Sequence, residues 1–372
     1  MKNIIKMSLV AAVAVAGLTS NVAAKPLEEA IKDVDISGSI VYRYNDYAND
    51  VTDGSSTTNY YKIATSLKSK VNDYVTASVR VVTGTSLTSD SGLIGLDTQA
   101  GSDANPSVNV TNANFTVKTD AATVIAGKQG LTTPWTVAVD TDGNEQNGSG
   151  LLALIPAGPV TVAAAYFNQT NLNSVIGTGA ENVATIGVLG SAAGVSFDAW
   201  YLDLDDTFDS FTIGAKAKMD MITAELRYAS LDLEGTDADN SIIIAKIGAK
   251  MDEFNAYLQY GMTDEEGGLT ALDADAKTTM LGWNTTIHNK ADADYLRVGA
   301  GMNVMSGLNV SLNYANLDYA ADMEEEELFT QITHKMGKNL TTYVRYGTYT
   351  KDQGSVEEQD DVRGRLQVEY KF

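Results

Sequence analysis

From residue 34 to the C-terminus the chain alternates apolar and polar side chains with a period of two, in segments of about 10 to 12 residues. Ile36, Gly38, Ile40, Tyr42 and Tyr44 share one face, opposite Ser37, Ser39, Val41, Arg43 and Asn45. Val75, Ala77, Val79 and Val81 do the same, as do Ile222, Ala224, Leu226 and Tyr228, and Leu308, Val310, Leu312 and Tyr314. A helix cannot keep such a pattern on one face, so the chain is all-β. The dyads fit a sandwich with one wet face or a transmembrane barrel whose apolar face meets lipid.

Segment length separates the two. A tilted membrane strand needs ~9–11 residues, whereas a soluble strand averages ~5–6. The five prolines, Pro26, Pro106, Pro134, Pro156 and Pro159, can all be placed outside the ladders. The connections also alternate. Short turns fall near 71–73, 119–121, 156–158, 191–194, 219–221, 251–253, 304–307 and 336–338, and polar stretches lie between them at 45–58, 84–107, 129–149, 169–181, 203–209, 232–240, 264–294, 318–327 and 351–361. Bacterial barrels carry short periplasmic turns at one end and long extracellular loops at the other. The expectation is a single antiparallel barrel of 18 strands, with residues 276–286 inside one long loop. Sixteen strands is the alternative if the pair around Pro156 belongs to a folded-in loop.

Charge supports the same division. The nine long stretches hold 36 of the 48 acidic residues and only three basic ones, Lys277, Lys290 and Lys351. With 36 acidic residues against three basic ones, those stretches carry −33, so the formal charge of −22 is polarised toward one end of the barrel, and its sign argues against a nucleic-acid partner. The absence of cysteine removes disulfides and thiolate chemistry, and two histidines leave little for a zinc site. At the N-terminus, Lys2 and Lys6 precede an apolar run at 8–17 and the small residues Val22, Ala23 and Ala24. Residues 1–24 read as a cleaved signal peptide and 25–372 as the barrel, placed in a Gram-negative outer membrane.

The last strand ends with Leu366, Val368, Tyr370 and Phe372 on one face. This tail resembles the assembly signal of bacterial outer-membrane barrels, with Tyr370 and Phe372 as its aromatic part. The stretch from Lys25 through Pro26, Glu28, Glu29 and Ile36 to Gly38, followed by Tyr42, Arg43 and Tyr44, resembles the major outer membrane porins of Campylobacter and its relatives. That resemblance implies a trimeric general-diffusion channel for small hydrophilic solutes and ions. It also implies contact with outer-membrane lipid and lipopolysaccharide, delivery by the barrel-assembly machinery, and a third loop folded into the lumen.

The third loop, 129–149, carries Asp140, Asp142 and Glu145, while inward strand positions supply Arg43, Arg80, Arg345, Arg363 and Arg365. An acidic loop against a basic wall would set a transverse field that sorts solutes by charge. With an acidic rim, weak cation selectivity is expected. The runs Glu324 to Glu327, Asp264 to Glu266 and Asp203 to Asp209 offer oxygen ligands for Ca²⁺ or Mg²⁺, but none has calcium-loop spacing and a solvated charge run is the plainer reading. No other cofactor is implied. Two rival functions are a barrel hydrolase built on His288 with Asp292 or Asp294, and an acidic secreted adhesin.

Overall fold

The computed structural model describes residues 34–83, 94–95, 108–170 and 181–372, so the expected signal segment lies outside the described residues. Eighteen long strands follow one another. They are β1 Val34–Asn49, β2 Gly54–Lys70, β3 Val75–Thr83, β4 Val108–Lys118, β5 Thr123–Gln129 and β6 Gly148–Ala157. Next come β7 Val160–Thr170, β8 Val183–Ala192, β9 Val195–Leu204, β10 Phe208–Met219, β11 Ile222–Leu233 and β12 Asp239–Met251. The last six are β13 Phe254–Thr263, β14 Asp294–Met305, β15 Leu308–Tyr319, β16 Met323–Met336, β17 Leu340–Gln353 and β18 Val356–Lys371. Each pairs antiparallel with its sequence neighbours, and β1 pairs with β18 to close the sheet, with Arg43 opposite Gln367 and Asn45 opposite Arg365. A two-residue segment, Ile94–Gly95, pairs with Tyr61 and Tyr60 of β2 above the end of β3. The strands around Pro156 pair as β6 and β7, which settles the count at eighteen rather than sixteen.

Burial is inverted relative to a soluble protein. Ile36, Ile40, Leu67, Phe115, Ile213, Leu226 and Leu312 are exposed on the outer face, while Arg43, Lys62, Thr212 and Arg227 are buried on the inner one. A continuous apolar exterior with a polar interior is what a lipid surround and a wet lumen select. Closure gives each of the eighteen strands a neighbour on both sides, as hydrocarbon demands. At the C-terminus, Phe372 and Gly38 exchange backbone hydrogen bonds of 3.0 and 2.9 Å, and the ring stacks on Tyr370 with centroids 6.1 Å apart. A Cβ at Gly38 would lie 2.7 Å from that ring, so glycine is what lets the closing aromatic seat.

All eight expected short turns are present. At 193–194 both Ala193 (φ 50°) and Gly194 (φ 82°) adopt the left-handed geometry that a two-residue hairpin requires. The long connections need correction. At 45–58, 203–209, 318–327 and 351–361 the strands run on and close in turns as tight as those of the other end. Those polar stretches are strands standing beyond the apolar belt, where alternation is no longer enforced by lipid. Two described connections are long: loop 130–147, and loop 264–293, which includes 276–286 as expected. Most of 84–107 and 169–181 lies outside the described residues.

Candidate functional site

Both long loops turn inward, and the large buried apolar groups of the chain lie inside the barrel. Trp135 on loop 130–147 packs with Leu269 and Leu272 of loop 264–293 against Phe167, Leu202, Leu204 and Leu231 on the wall. Farther round, Met280 and Ile287 of the second loop pack on Ile242, Ile244, Tyr295 and Leu317. The loops are also hydrogen-bonded to each other. Leu272 and Thr278 donate their N–H groups to the carbonyls of Trp135 and Pro134, at 2.9 and 3.0 Å. Thr141 donates to Asp275 through its N–H at 2.7 Å and its hydroxyl at 3.0 Å.

Loop 130–147 is tied to the barrel wall by charge. Asp142 accepts hydrogen bonds from Arg43 at 3.0 Å and Arg365 at 2.8 Å, so the two strands that close the barrel clamp one carboxylate. Partial desolvation works against that charge, but the guanidiniums of Arg365 and Arg43 outweigh it and hold the carboxyl below its ordinary range. Glu145, 4% exposed, meets Lys62 and Arg80, each at 2.7 Å, and Arg80 adds a second bond at 2.9 Å to make the contact bidentate. Asp140 behaves differently. It accepts from the N–H and side-chain amide of Asn144, a cap within its own loop, and burial raises its pKa.

Of the five arginines expected on the wall, Arg43, Arg80 and Arg365 hold the third loop. Arg345 and Arg363 serve the second. The Arg345 guanidinium lies 5.0 Å from the Trp283 ring and 4.9 Å from Phe329, and Arg363 pairs with Asp361 and donates to Asn284. Lys62, Asp273 and Asp275 are participants that the sequence reading did not single out. The signal for the second loop was available in Leu269, Leu272, Met280 and Ile287, too many large apolar residues for a solvated loop.

Asp273 is 2% exposed and sits at the junction of the loops. It accepts from the Val137 N–H at 2.7 Å and, through its other oxygen, from the Gln146 amide. Burial, with Asp275 and Asp140 nearby, pushes its pKa up to about 7 against these donors. Because the packed state raises the pKa, ionisation opposes packing. The junction is firmest below the ordinary carboxylate range and loosens as pH rises from about 4 to 7, by the order of a few kcal/mol. Protease cleavage of the two loops should therefore be faster at pH 8 than at pH 5, and Asp273→Asn should remove the difference.

Glu324 to Glu327 is not a solvated run. Glu325 and Glu327 face inward and are buried, Glu325 against Lys290 and the Tyr319 hydroxyl, Glu327 accepting the N–H groups of Trp283 and Asn284 at 2.8 and 2.6 Å. Glu324 and Glu326 point outward to Asn316 and Tyr314. Among the described residues no three His, Cys, Asp or Glu side chains are grouped so as to hold a metal ion. His288 makes no hydrogen bond to Asp292 or Asp294; both ring nitrogens are buried without a partner, and burial lowers its pKa to about 4. An imidazole with so little affinity for a proton and no partner to orient it is a weak general base.

The family profile of the Campylobacter major outer membrane protein matches residues 1–199. The chain belongs to that family. No curated protein sequence matches it. The fold is shared with solved structures of low identity. Pseudomonas aeruginosa OpdO is 15% identical with a TM-score of 0.75, covering 92% of this chain and 97% of that one. Acinetobacter baumannii OccAB3 is 14% identical with a TM-score of 0.74, at 92% and 99%. The outer membrane protein OpdK of P. aeruginosa is 13% identical with a TM-score of 0.71, at 91% and 98%. The chain is thus an outer-membrane β-barrel porin.

Proposed function

We propose that this porin is a general-diffusion channel whose lumen is narrowed by two loops, the third and the long loop after β13, and that it passes small hydrophilic solutes with a weak preference for cations. The observation that carries this reading is the Asp142 carboxylate held between Arg43 and Arg365 inside the barrel. It supports a narrow zone where acidic loop groups face a basic wall and a passing solute meets both signs within a few ångströms. The acidic far end concentrates cations before they reach that zone. The expected assembly is a homotrimer in the outer membrane, which chemical cross-linking in intact membranes would reveal as a three-chain band.

Reconstituted in a planar bilayer under a KCl gradient, the protein should give a reversal potential on the potassium side. A clear chloride preference would overturn the selectivity. Asp142→Asn should change single-channel conductance, because it removes the charge that both arginines share, whereas Asp140→Asn, a change within the loop's own cap, should alter it less.

A further inference from the structure

Below the loops, toward the end where β1 begins and β18 finishes, the lumen changes sign. The inward positions of the strands can be followed from Lys62, buried against Glu145: six and eight positions further along β2, Lys68 and Lys70 lie on the same face, and Lys70 is the last residue of that strand. Lys218 stands one residue from the end of β10, two beyond the inward Lys216; Lys250 and Lys335 each stand one residue from the ends of β12 and β16, and Lys371 ends β18. Three cavities are bordered by these strand positions. One of about 520 Å³ is lined by Arg43, Lys62 and Lys371 beneath Asp140 and Asp142. One of about 570 Å³ is lined by Lys216, Arg227 and Lys277. One of about 840 Å³ is lined by Lys250 and Lys335 with Glu253, Asn255, Asn303 and Asn309.

On the inward wall carboxylates are fewer than lysines, and Asp35 stands opposite Lys68 in the β1–β2 register. Asp198 is bound to Arg227 at 2.8 Å, Glu225 lies 3.5 Å from Lys216, and Glu369 lies 3.3 Å from Lys371. Asp35 is also inward on β1, while Asp73, Asp120, Asp220, Asp252 and Glu253 sit in the turns, at the mouth. Among the described residues no carboxylate lies within ion-pair distance of Lys68, Lys70, Lys250 or Lys335, and all four are exposed. The other end of the barrel has the opposite balance, since Lys290 and Lys351 there are already paired with Glu325 and Glu358.

We propose that the pore is two oppositely charged zones in series, an acidic mouth and a lysine-lined inner vestibule, and that it conducts asymmetrically. The inference rests on the porin reading. A cation-enriched zone joined to an anion-enriched one fills with both ions when the field drives cations inward from the acidic mouth and anions outward from the lysines. The opposite field empties the junction. Current is therefore larger when the acidic side is positive. The effect requires a Debye length comparable with the bore, about 10 Å at 0.1 M salt and about 3 Å at 1 M.

The test is a current–voltage curve on channels of known orientation. The chain has no cysteine, so Ser306→Cys, in the turn after β14, reports through a membrane-impermeant maleimide which chamber the inner end faces. In 0.1 M KCl the currents at opposite voltages of about 100 mV should differ by roughly 1.5-fold or more, and in 1 M KCl the ratio should fall close to one. A variant with Lys68, Lys70, Lys335 and Lys371 changed to Gln, shown to be folded by heat-modifiable migration, should lose the asymmetry at 0.1 M. A straight line for the unaltered protein at 0.1 M, or a ratio untouched by salt or by the four substitutions, overturns the inference and leaves the porin reading standing. Absence of any channel overturns both.

Discussion

Trp135→Ala should release both inward loops at once and raise single-channel conductance while leaving the barrel closed. The indole is fully buried and packs in one cluster with the wall and the second loop, so it joins all three surfaces. Its Nε1 donates to the Ser210 hydroxyl at 2.8 Å, and its carbonyl accepts from Leu272 and Asp273 at 2.9 and 3.1 Å. Truncating a buried Trp costs about 3–5 kcal/mol, here toward the lower end because lumen water can enter the gap. No strand ladder runs through position 135, so the closed β1–β18 seam is untouched. The variant should still migrate as a compact barrel before heating and unfold after it. Limited proteolysis should then cut within 130–147 and 264–293, and the conductance step should grow. A variant whose loops stay resistant and whose conductance is unchanged would show that charge alone holds them.

Much of this architecture is legible in the sequence because the membrane imposes a strict rule. Lipid on one side and water on the other force every second residue to be apolar for the length of the belt, so Ile36 to Tyr44 or Leu308 to Tyr314 declare strands and facing together. The rule lapses outside the belt. There Ser55, Thr57 and Thr58 or Glu324 to Glu327 remain in strands with no apolar face to betray them, and they read as loops. Loop 264–293 is legible as a loop, but its inward packing is hidden for a different reason. Its apolar groups bury against the lumen wall, a surface built by strands far away in sequence, so no local period marks it. The contacts of Asp142 with Arg43 and Arg365 are partly legible: closure of the barrel brings β1 to β18, which juxtaposes the two arginines. Only the structure shows that Asp140 caps its own loop instead.

Glu145→Gln should disturb the same loop by another route and also move the selectivity. The substitution keeps the shape but removes the single carboxylate shared by Lys62 and Arg80, in a site where Lys62 is 4% exposed and itself donates to the Gly143 carbonyl. Breaking one partner of a buried charge cluster costs about 3–5 kcal/mol, because the remaining charges lose their compensation. Two cations around a neutral amide repel each other and the loop moves off the wall. The lumen also gains a positive charge beside Arg43 and Arg365, so the reversal potential in a KCl gradient should shift toward chloride. That shift separates the two variants: Trp135→Ala opens the loops without changing the sign of the wall, whereas Glu145→Gln changes both. Adding Arg80→Gln to Glu145→Gln should recover part of the lost loop protection, since contacting residues couple by about 0.5–3 kcal/mol. If the double variant is no better protected than the single one, Lys62 rather than Arg80 is the group that Glu145 neutralises.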